Sequence, residues 1–351
     1  MFTHVLSGVL DAFSQDIAID LGTTHTFLYV QGRGVVCREP TMVAVHQNRR
    51  GDRQVIAVGR EAKRMRGRTP SDIQVISPVR DGVIADFQIT EALLRHLIIQ
   101  VVGRSPVVGP NAMVCIPYGT TEVERRAMRE SAEAAGARCV SLVDEPLAAA
   151  VGLGMDLSEP RGNMVVDVGG GTCEVSVLSL SGVVYARSVK VAGDQMDEAI
   201  VQHVRRHYGL LIGRATAEAA KIRFGSLAGP LGTQNVIVKG RDLASGFPRA
   251  VEFSQEELRM ALADTGRLIA ETVLTTLEKT PPELAGDIVD QGIVLIGGGA
   301  MLRGLDRVLR DATGIPAILA EDPMAAMVVG SGRVMEEEWV FEDTSSRLSV
   351  G

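Results

Sequence analysis

The chain has 351 residues, 46% of them hydrophobic but only 4% aromatic, and a formal net charge of −7. That length suits two lobes of roughly 150 residues rather than one simple core, and the cores must be built from Val, Ile, Leu, Ala and Met. The acidic balance argues against a bulk nucleic-acid binder, and the scattered Cys37, Cys115, Cys139 and Cys173 read as buried free thiols rather than a metal site or disulfide framework.

At the amino terminus Met1, Phe2, Val5, Leu6, Val9, Leu10 and Phe13 share one helical face, with His4, Ser7, Asp11 and Ser14 elsewhere. There is no basic region and no continuous apolar core, so this is not a signal peptide, and no apolar run reaches the ~18 residues of a spanning helix. Residues 17–20 read as a buried strand ending in a Gly-Thr turn, and 26–30 as the return strand. Polar residues 48–53 suggest a surface loop in a small strand-rich insertion. Helices are predicted over 90–102 and 121–135, flanking a short strand at 112–116 that Pro117 closes. A strand at 139–143 leads into a helix that starts near Pro146, a suitable first-turn residue. The strand at 164–166 repeats the first theme: apolar residues, an aspartate, a Gly-rich turn, then a strand over 174–180. This weak internal duplication argues for two similar α/β lobes. Further helices are predicted over 194–208 and 256–278, and a buried strand over 292–296. The Gly-rich stretch 228–248 suggests a second small subdomain.

Four elements carry chemistry. In Asp20-Leu21-Gly22-Thr23-Thr24 a strand ends in a carboxylate and a glycine turns the chain tightly, so that amides and hydroxyls face a phosphate. In Asp167-Val168-Gly169-Gly170-Gly171-Thr172 three glycines clear side chains from the amides, and Asp167 suits magnesium held through water. Gly297-Gly298-Gly299-Ala300-Met301 follows a strand and reads as a glycine run opening a helix, where a nucleotide can approach closely. It also fits a plain strand–helix turn. Asp144-Glu145-Pro146 places two carboxylates before a small-residue helix. One could polarise an attacking water, and helix capping is the plainer use. The P-loop and dinucleotide fingerprints are absent. His203 and His207, at i and i+4, read as a solvated helix face rather than a zinc site.

Together these motifs resemble the actin, heat-shock chaperone and sugar-kinase ATPase superfamily, and within it the MreB family of bacterial cell-shape actins. The likeness rests on Ile19–Thr23, Asp81-Gly82-Val83-Ile84-Ala85-Asp86-Phe87, Val123-Glu124-Arg125-Arg126-Ala127 and Glu145–Ala150. It extends through Gly193-Asp194-Gln195-Met196-Asp197-Glu198-Ala199, Thr216-Ala217-Glu218, Pro281–Ala285 and Ala320-Glu321-Asp322-Pro323. It implies a two-lobed actin-like ATPase fold, α/β, with four subdomains and MgATP in a central cleft. The subdomains fall at 1–32, 66–145 and 315–351 (IA), 33–65 (IB), 146–181 and 245–314 (IIA), and 182–244 (IIB).

By the same resemblance, Glu145 orients the hydrolytic water and Asp167 assists it, while Asp20 and Asp167 hold magnesium through water. The phosphates lie against Gly22, Thr23, Thr24, His25, Gly169, Gly170, Gly171 and Thr172. Glu218, Lys221 and Gly297–Met301 line the nucleoside. The resemblance further implies homopolymers of double protofilaments and elongation-machinery membrane proteins as partners. It also implies a cytoplasmic position at the inner face of the membrane, reached through Phe2, Val5, Leu6, Val9, Leu10 and Phe13 or through Val107 and Val108. Residues 1–16 contain no Lys or Arg, so apolar burial would be the main term.

The sequence departs from the family pattern at His25 (usually Asn), Asp144 (usually Glu) and Cys173 (usually a second Thr), and in lacking a basic residue between Glu218 and Lys221. These changes bear on turnover and keep a nucleotide-bound scaffold open as an alternative. A small-molecule kinase would want an acceptor pocket and insertions, and a chaperone a further substrate domain; neither appears in the sequence.

Overall fold

The strand expected at residues 17–20 forms as β1 (Ile17–Leu21), buried along its whole length. A computed structural model describes residues 16–48, 51–103 and 109–336. The amino-terminal apolar face and the Val107–Val108 tip lie outside the described residues. The chain divides into two units: Met1–Asp156 with Ala325–Gly351, and Leu157–Met324.

In the first unit β1 pairs antiparallel with β2 (His25–Val30), which pairs antiparallel with β3 (Gly34–Pro40). The small strand-rich insertion is a three-stranded sheet of β4 (Val43–Gln47), β5 (Arg53–Val58) and β6 (Ile73–Ile76), with α1 (Arg60–Met65) packed on it. A two-residue hairpin joins β7 (Val79–Arg80) to β8 (Val83–Ile84) through Asp81-Gly82. Both turn residues have positive φ, 50° and 80°, the conformation that an Asp-Gly pair tolerates in such turns. Then follow α2 (Phe87–Val102), β9 (Asn111–Ile116), α3 (Glu122–Ala134), β10 (Cys139–Asp144) and α4 (Glu145–Gly152). Thr121 and Glu124 form a reciprocal capping box on α3, stabilising its start by about 1 kcal/mol. β9 and β10 run parallel to β1, giving the order β10-β9-β1-β2-β3. Ile17, Ile19 and Leu28 of this sheet are sealed by Leu93, Leu94 and Leu97 of α2.

The second unit repeats the scheme. β11 (Asn163–Val168), β12 (Cys173–Ser179) and β13 (Gly182–Val189) are antiparallel neighbours. After α5 (Gly193–Tyr208), β14 (Leu210–Leu211) and α6 (Arg214–Phe224) come β15 (Val236–Asp242) and β16 (Pro248–Phe253), which with β14 form the second small sheet. The 25-residue α7 (Gln255–Lys279) starts with another capping box, Ser254 with Glu257. α8 (Pro282–Gln291) leads to β17 (Ile293–Ile296), and α9 (Leu305–Thr313) to β18 (Ala317–Leu319). β17 and β18 lie parallel to β11, so the order is β13-β12-β11-β17-β18. The two large sheets therefore share one topology: two antiparallel strands on one side of the first strand, two parallel ones on the other. The chain then returns to the first unit as α10 (Ala326–Glu336), which packs on α4, β1, β2 and β9.

Two boundaries differ from those expected. β18 joins the second unit's sheet, so residues 315–324 sit there rather than with the first unit, and α4 belongs with the first unit because it packs against α10. Cys139, at the start of an edge strand, is exposed, whereas the other three cysteines are buried. His203 is not on a solvated face. Its ring stacks on His207 at 4.3 Å and packs against Phe253, and its Nε2 is buried.

Candidate functional site

Each unit carries one Asp–Gly turn at the carboxyl end of its first strand, the end at which open α/β sheets bind ligands. In the first unit Asp20 is 5% exposed near the end of β1. The Gly22 N–H donates to the His25 carbonyl at 3.1 Å, and a Cβ at Gly22 would stand 2.8 Å from that oxygen, so only glycine turns the chain here without displacement. The turn hangs from a buried residue that sequence reading did not single out. The Thr41 hydroxyl donates to the Gly22 carbonyl at 2.7 Å and its N–H to the Thr24 carbonyl at 2.9 Å. With that hydroxyl proton committed, Thr26 must be the donor in the 2.9 Å contact between the two threonine oxygens. Gly82 donates its N–H to the Thr23 hydroxyl at 3.2 Å, which ties the Asp81–Phe87 motif to this turn. Among the described residues no backbone acceptor takes the N–H of Thr23 or Thr24.

Glu145 is the first residue of α4. Asp20 and Glu145 both press on the thiol of Cys115, which burial first and these two charges after it push well above its usual range. The two carboxylates thus lie near one buried point on β9. Asp144 does not cap the helix with its side chain; it pairs instead with Arg125 of α3 at 3.0 Å. Burial raises the Asp144 pKa and Arg125 opposes the shift.

In the second unit the Gly169 N–H donates to the Thr172 carbonyl at 2.9 Å. The carbonyls of Gly169 and Gly170 accept from the N–H groups of Gly193 and Asp194 at 3.2 and 2.7 Å. Among the described residues no backbone acceptor takes the N–H of Gly170 or Gly171. The run Gly297–Gly299 packs on this turn. A Cβ at Gly297, whose φ is 85°, would overlap the Asp167 carboxylate and the Val168 carbonyl, and one at Gly299 would stand 2.7 Å from Val168 Cγ1 and 3.0 Å from the Gly169 carbonyl. The run does not open an α-helix, as expected from sequence; Gly299–Met301 is a single 3₁₀ turn, and α9 begins only at Leu305 after Gly304 adopts a left-handed conformation. Ala300 is buried and Met301 exposed. The Gly297 N–H donates to the Pro323 carbonyl at 2.7 Å, which gives the Ala320–Pro323 motif its place.

Asp167 Oδ1 is buried without a hydrogen-bond partner, and burial pushes its pKa up to about 7. Such an orphaned oxygen suits a cation or a proton. The unfolded chain ionises this group near pH 4 but the folded one only near 7, so stability present at low pH is lost as pH rises to about 7 and then levels off. Asp167→Asn should therefore raise the melting temperature of the metal-free protein at pH 8, by roughly 4–8 °C for about 2 kcal/mol, with the gain vanishing by about pH 4. Equal melting of the two proteins at pH 8 would refute the assignment.

Lys221 lies on α6 one turn from Glu218, but its ammonium is engaged within the protein, 2.7 Å from Asp197 Oδ1 and 2.7 Å from the Gly193 carbonyl. The partners Gly193 and Asp197 belong to a motif that sequence reading quoted without assigning either a role.

A duplicated sheet with a glycine turn after each leading strand defines an actin-like fold. A crystal structure of MreB 5 of Spiroplasma citri bound to AMPPNP is similar with a TM-score of 0.87 and 35% identity, over 92% of this chain and 96% of that one. The MamK double helical filament, 23% identical with a TM-score of 0.76 over 92% and 99%, shares the fold. The chain belongs to the MreB/Mbl protein family, which it matches over residues 14–342. It is 51% identical over 326 residues to the cell shape-determining protein MreB of Escherichia coli, covering 92% of this chain and 94% of that protein. It is 42% identical over 324 residues to the cell shape-determining protein Mbl of Bacillus subtilis, covering 92% and 96%.

Proposed function

We propose that this protein is an actin-like cytoskeletal ATPase that binds and slowly hydrolyses MgATP. In this reading it polymerises into membrane-associated filaments that help to organise cell-wall synthesis and rod shape. The observation that carries the reading is the pair of Asp–Gly turns, each braced from behind and each with backbone N–H groups that no backbone acceptor takes. The AMPPNP bound to the Spiroplasma citri relative supports it.

Within Gly22–His25 and Gly169–Thr172 the amides of Thr23, Thr24, Gly170 and Gly171 would receive the phosphates, while those of Gly22 and Gly169 close the turns; Glu218 with Gly297–Met301 would receive the nucleoside. Asp20 and Asp167 would hold magnesium through water, and the buried unpartnered Asp167 Oδ1 fits that use. When bound, magnesium neutralises phosphate charge. Glu145, leading α4, would accept hydrogen bonds from a water and align it. Asp144 is held by Arg125, which keeps the start of that helix in register. No helix of the described residues is long and apolar enough to cross a membrane; membrane attachment is assigned to the apolar face of residues 2–13 or to Val107 and Val108.

The test is sedimentation with MgATP, with and without lipid vesicles, with phosphate release followed on the same samples. Polymer in the pellet with slow release, and co-sedimentation with vesicles, is the expected result. Polymer without release would instead identify a nucleotide-bound scaffold, and absence of polymer in all salt and lipid conditions would favour a kinase of the same fold.

A further inference from the structure

The small insertion of the first unit carries charge opposite in sign to the rest of the chain. Residues 51–68 hold six Lys and Arg against two Asp and Glu, on a chain whose net charge is −7. Two of these cations are matched locally: Arg53 pairs with Asp86 at 2.6 Å and Arg60 with Glu39 at 3.1 Å. Among the described residues no carboxylate pairs with Arg64, Arg66 or Arg68. The inner side of α1 is taken up by the core, where Ala62 is buried with Met42 and Ala44 and Met65 packs against them. Its outer side is basic. Arg60 and Arg64 lie one turn apart and share a face; both are exposed, as is Arg68, whose guanidinium comes within 3.5 Å of the Arg64 carbonyl. Next to α1 in the chain, β5 is an edge strand of the small sheet. Its register with β4 shifts at Ala44/Val45, so Ile56 has no residue opposite it, and Val55 and Ile56 are 38% and 41% exposed.

We propose that this basic surface of the insertion, centred on Arg64, Arg66 and Arg68 and edged by Val55 and Ile56, binds anionic lipid headgroups. It rests on the membrane-attachment reading above and gives that attachment an electrostatic part. Residues 1–16, the apolar anchor of that reading, hold no Lys or Arg. An apolar anchor the size of one acyl chain binds membranes weakly and reversibly, and firm attachment takes a second signal such as a polybasic patch. A chain of net charge −7 is also repelled by an anionic leaflet unless it turns a basic surface toward it. Guanidinium groups without a carboxylate partner are free to donate to headgroup phosphates, and exposed apolar side chains beside them can enter the headgroup region. A nucleic acid fits this surface less well, because residues 51–68 contain no aromatic side chain on which a base could stack.

Vesicle flotation of the full chain tests this, since floated protein is bound to lipid and polymer alone sinks. Wild-type protein should partition about thirtyfold or more strongly onto phosphatidylcholine vesicles containing about one third phosphatidylglycerol than onto phosphatidylcholine alone, and rising salt should erase the difference. The triple variant Arg64→Gln, Arg66→Gln, Arg68→Gln should lose about thirtyfold or more on the anionic vesicles, because each cation near such a surface contributes about fivefold. On neutral vesicles it should match wild type. Lysine at the same three positions should restore binding to the anionic vesicles, since the attraction is to charge and not to one fork geometry; a lysine variant as weak as the glutamine one would count against the proposal. Equal partitioning of wild type onto the two kinds of vesicle would overturn it and leave attachment through the apolar segments standing, as would a glutamine variant that binds anionic vesicles like wild type. Capture of a DNA oligonucleotide by wild type, with no preference for anionic vesicles, would assign the surface to nucleic acid instead. Failure of wild type to float with either kind of vesicle would remove the membrane-attachment reading itself, and this proposal with it.

Discussion

Glu145→Ala is expected to lower phosphate release by about 10²–10⁴-fold, the range for loss of a positioned general base, while leaving MgATP affinity within about threefold of wild type. Of the two adjacent carboxylates, Asp144 is already paired with Arg125 at 3.0 Å, which commits one oxygen and fixes its direction. Glu145 begins α4, where the helix amino terminus favours negative charge, and lies with Asp20 close to the buried Cys115. A residue that orients water raises the rate without holding the nucleotide, so binding and turnover should separate. Single-turnover phosphate release, measured beside nucleotide titration and sedimentation, checks the separation. Wild-type turnover in the variant would remove Glu145 from the reaction; parallel loss of binding would make it a ligand or a structural residue instead.

Gly330→Ala should be the most damaging small substitution in the first unit, destabilising it by about 3 kcal/mol or more and lowering its melting temperature by roughly 6–12 °C. A Cβ at Gly330 would overlap the Ala148 carbonyl and stand 2.7 Å from the Gly152 nitrogen; reciprocally, one at Gly152 would overlap the Ala326 carbonyl. All of these are backbone atoms, so no rotamer change relieves the clash, and α10 and α4 must separate. Gly286 is the control: it lies in α8 with nothing within 4 Å of a Cβ, and Gly286→Ala should be neutral or stabilising by up to ~1 kcal/mol. Thermal unfolding of both variants distinguishes close helix packing from a general intolerance of glycine replacement. A Gly330→Ala protein that melts with wild type would show that the two helices are not held at this spacing.

What was legible in the sequence was what is local. β1, β9, β11 and β17 are short apolar runs closed by turn residues, and α3 and α7 begin at capping boxes whose partners lie three residues apart. The Asp–Gly turns are contiguous strings, so their place after each leading strand could be read directly. What escaped depends on partners distant in the chain. Thr41 looks like any other threonine until its hydroxyl is found on Gly22. Nothing local reveals Asp197, twenty-four residues earlier, as the counter-ion of Lys221. α10 carries Gly330, Ser331 and Gly332, residues of low helix propensity that give its stretch no local helix signal. They are tolerated because α4 and the Tyr29 ring approach too closely for larger residues. β13 carries only half-buried and exposed residues, so no buried face announces it.

The return of α10 to the first unit bears on synthesis. The second unit is one uninterrupted stretch, Leu157–Met324, and can complete its core as soon as that stretch has left the ribosome. The first unit is begun earlier yet finished later. Its sheet has an uncovered face over β1, β2 and β9 until α10 emerges near the end of translation. During that interval Cys115, whose thiol meets Ser331, and Tyr29, whose ring meets Gly332, lack their cover. A chain stopped just short of Ala326 would thus contain every strand of the first unit's large sheet and still lack the helix that closes it.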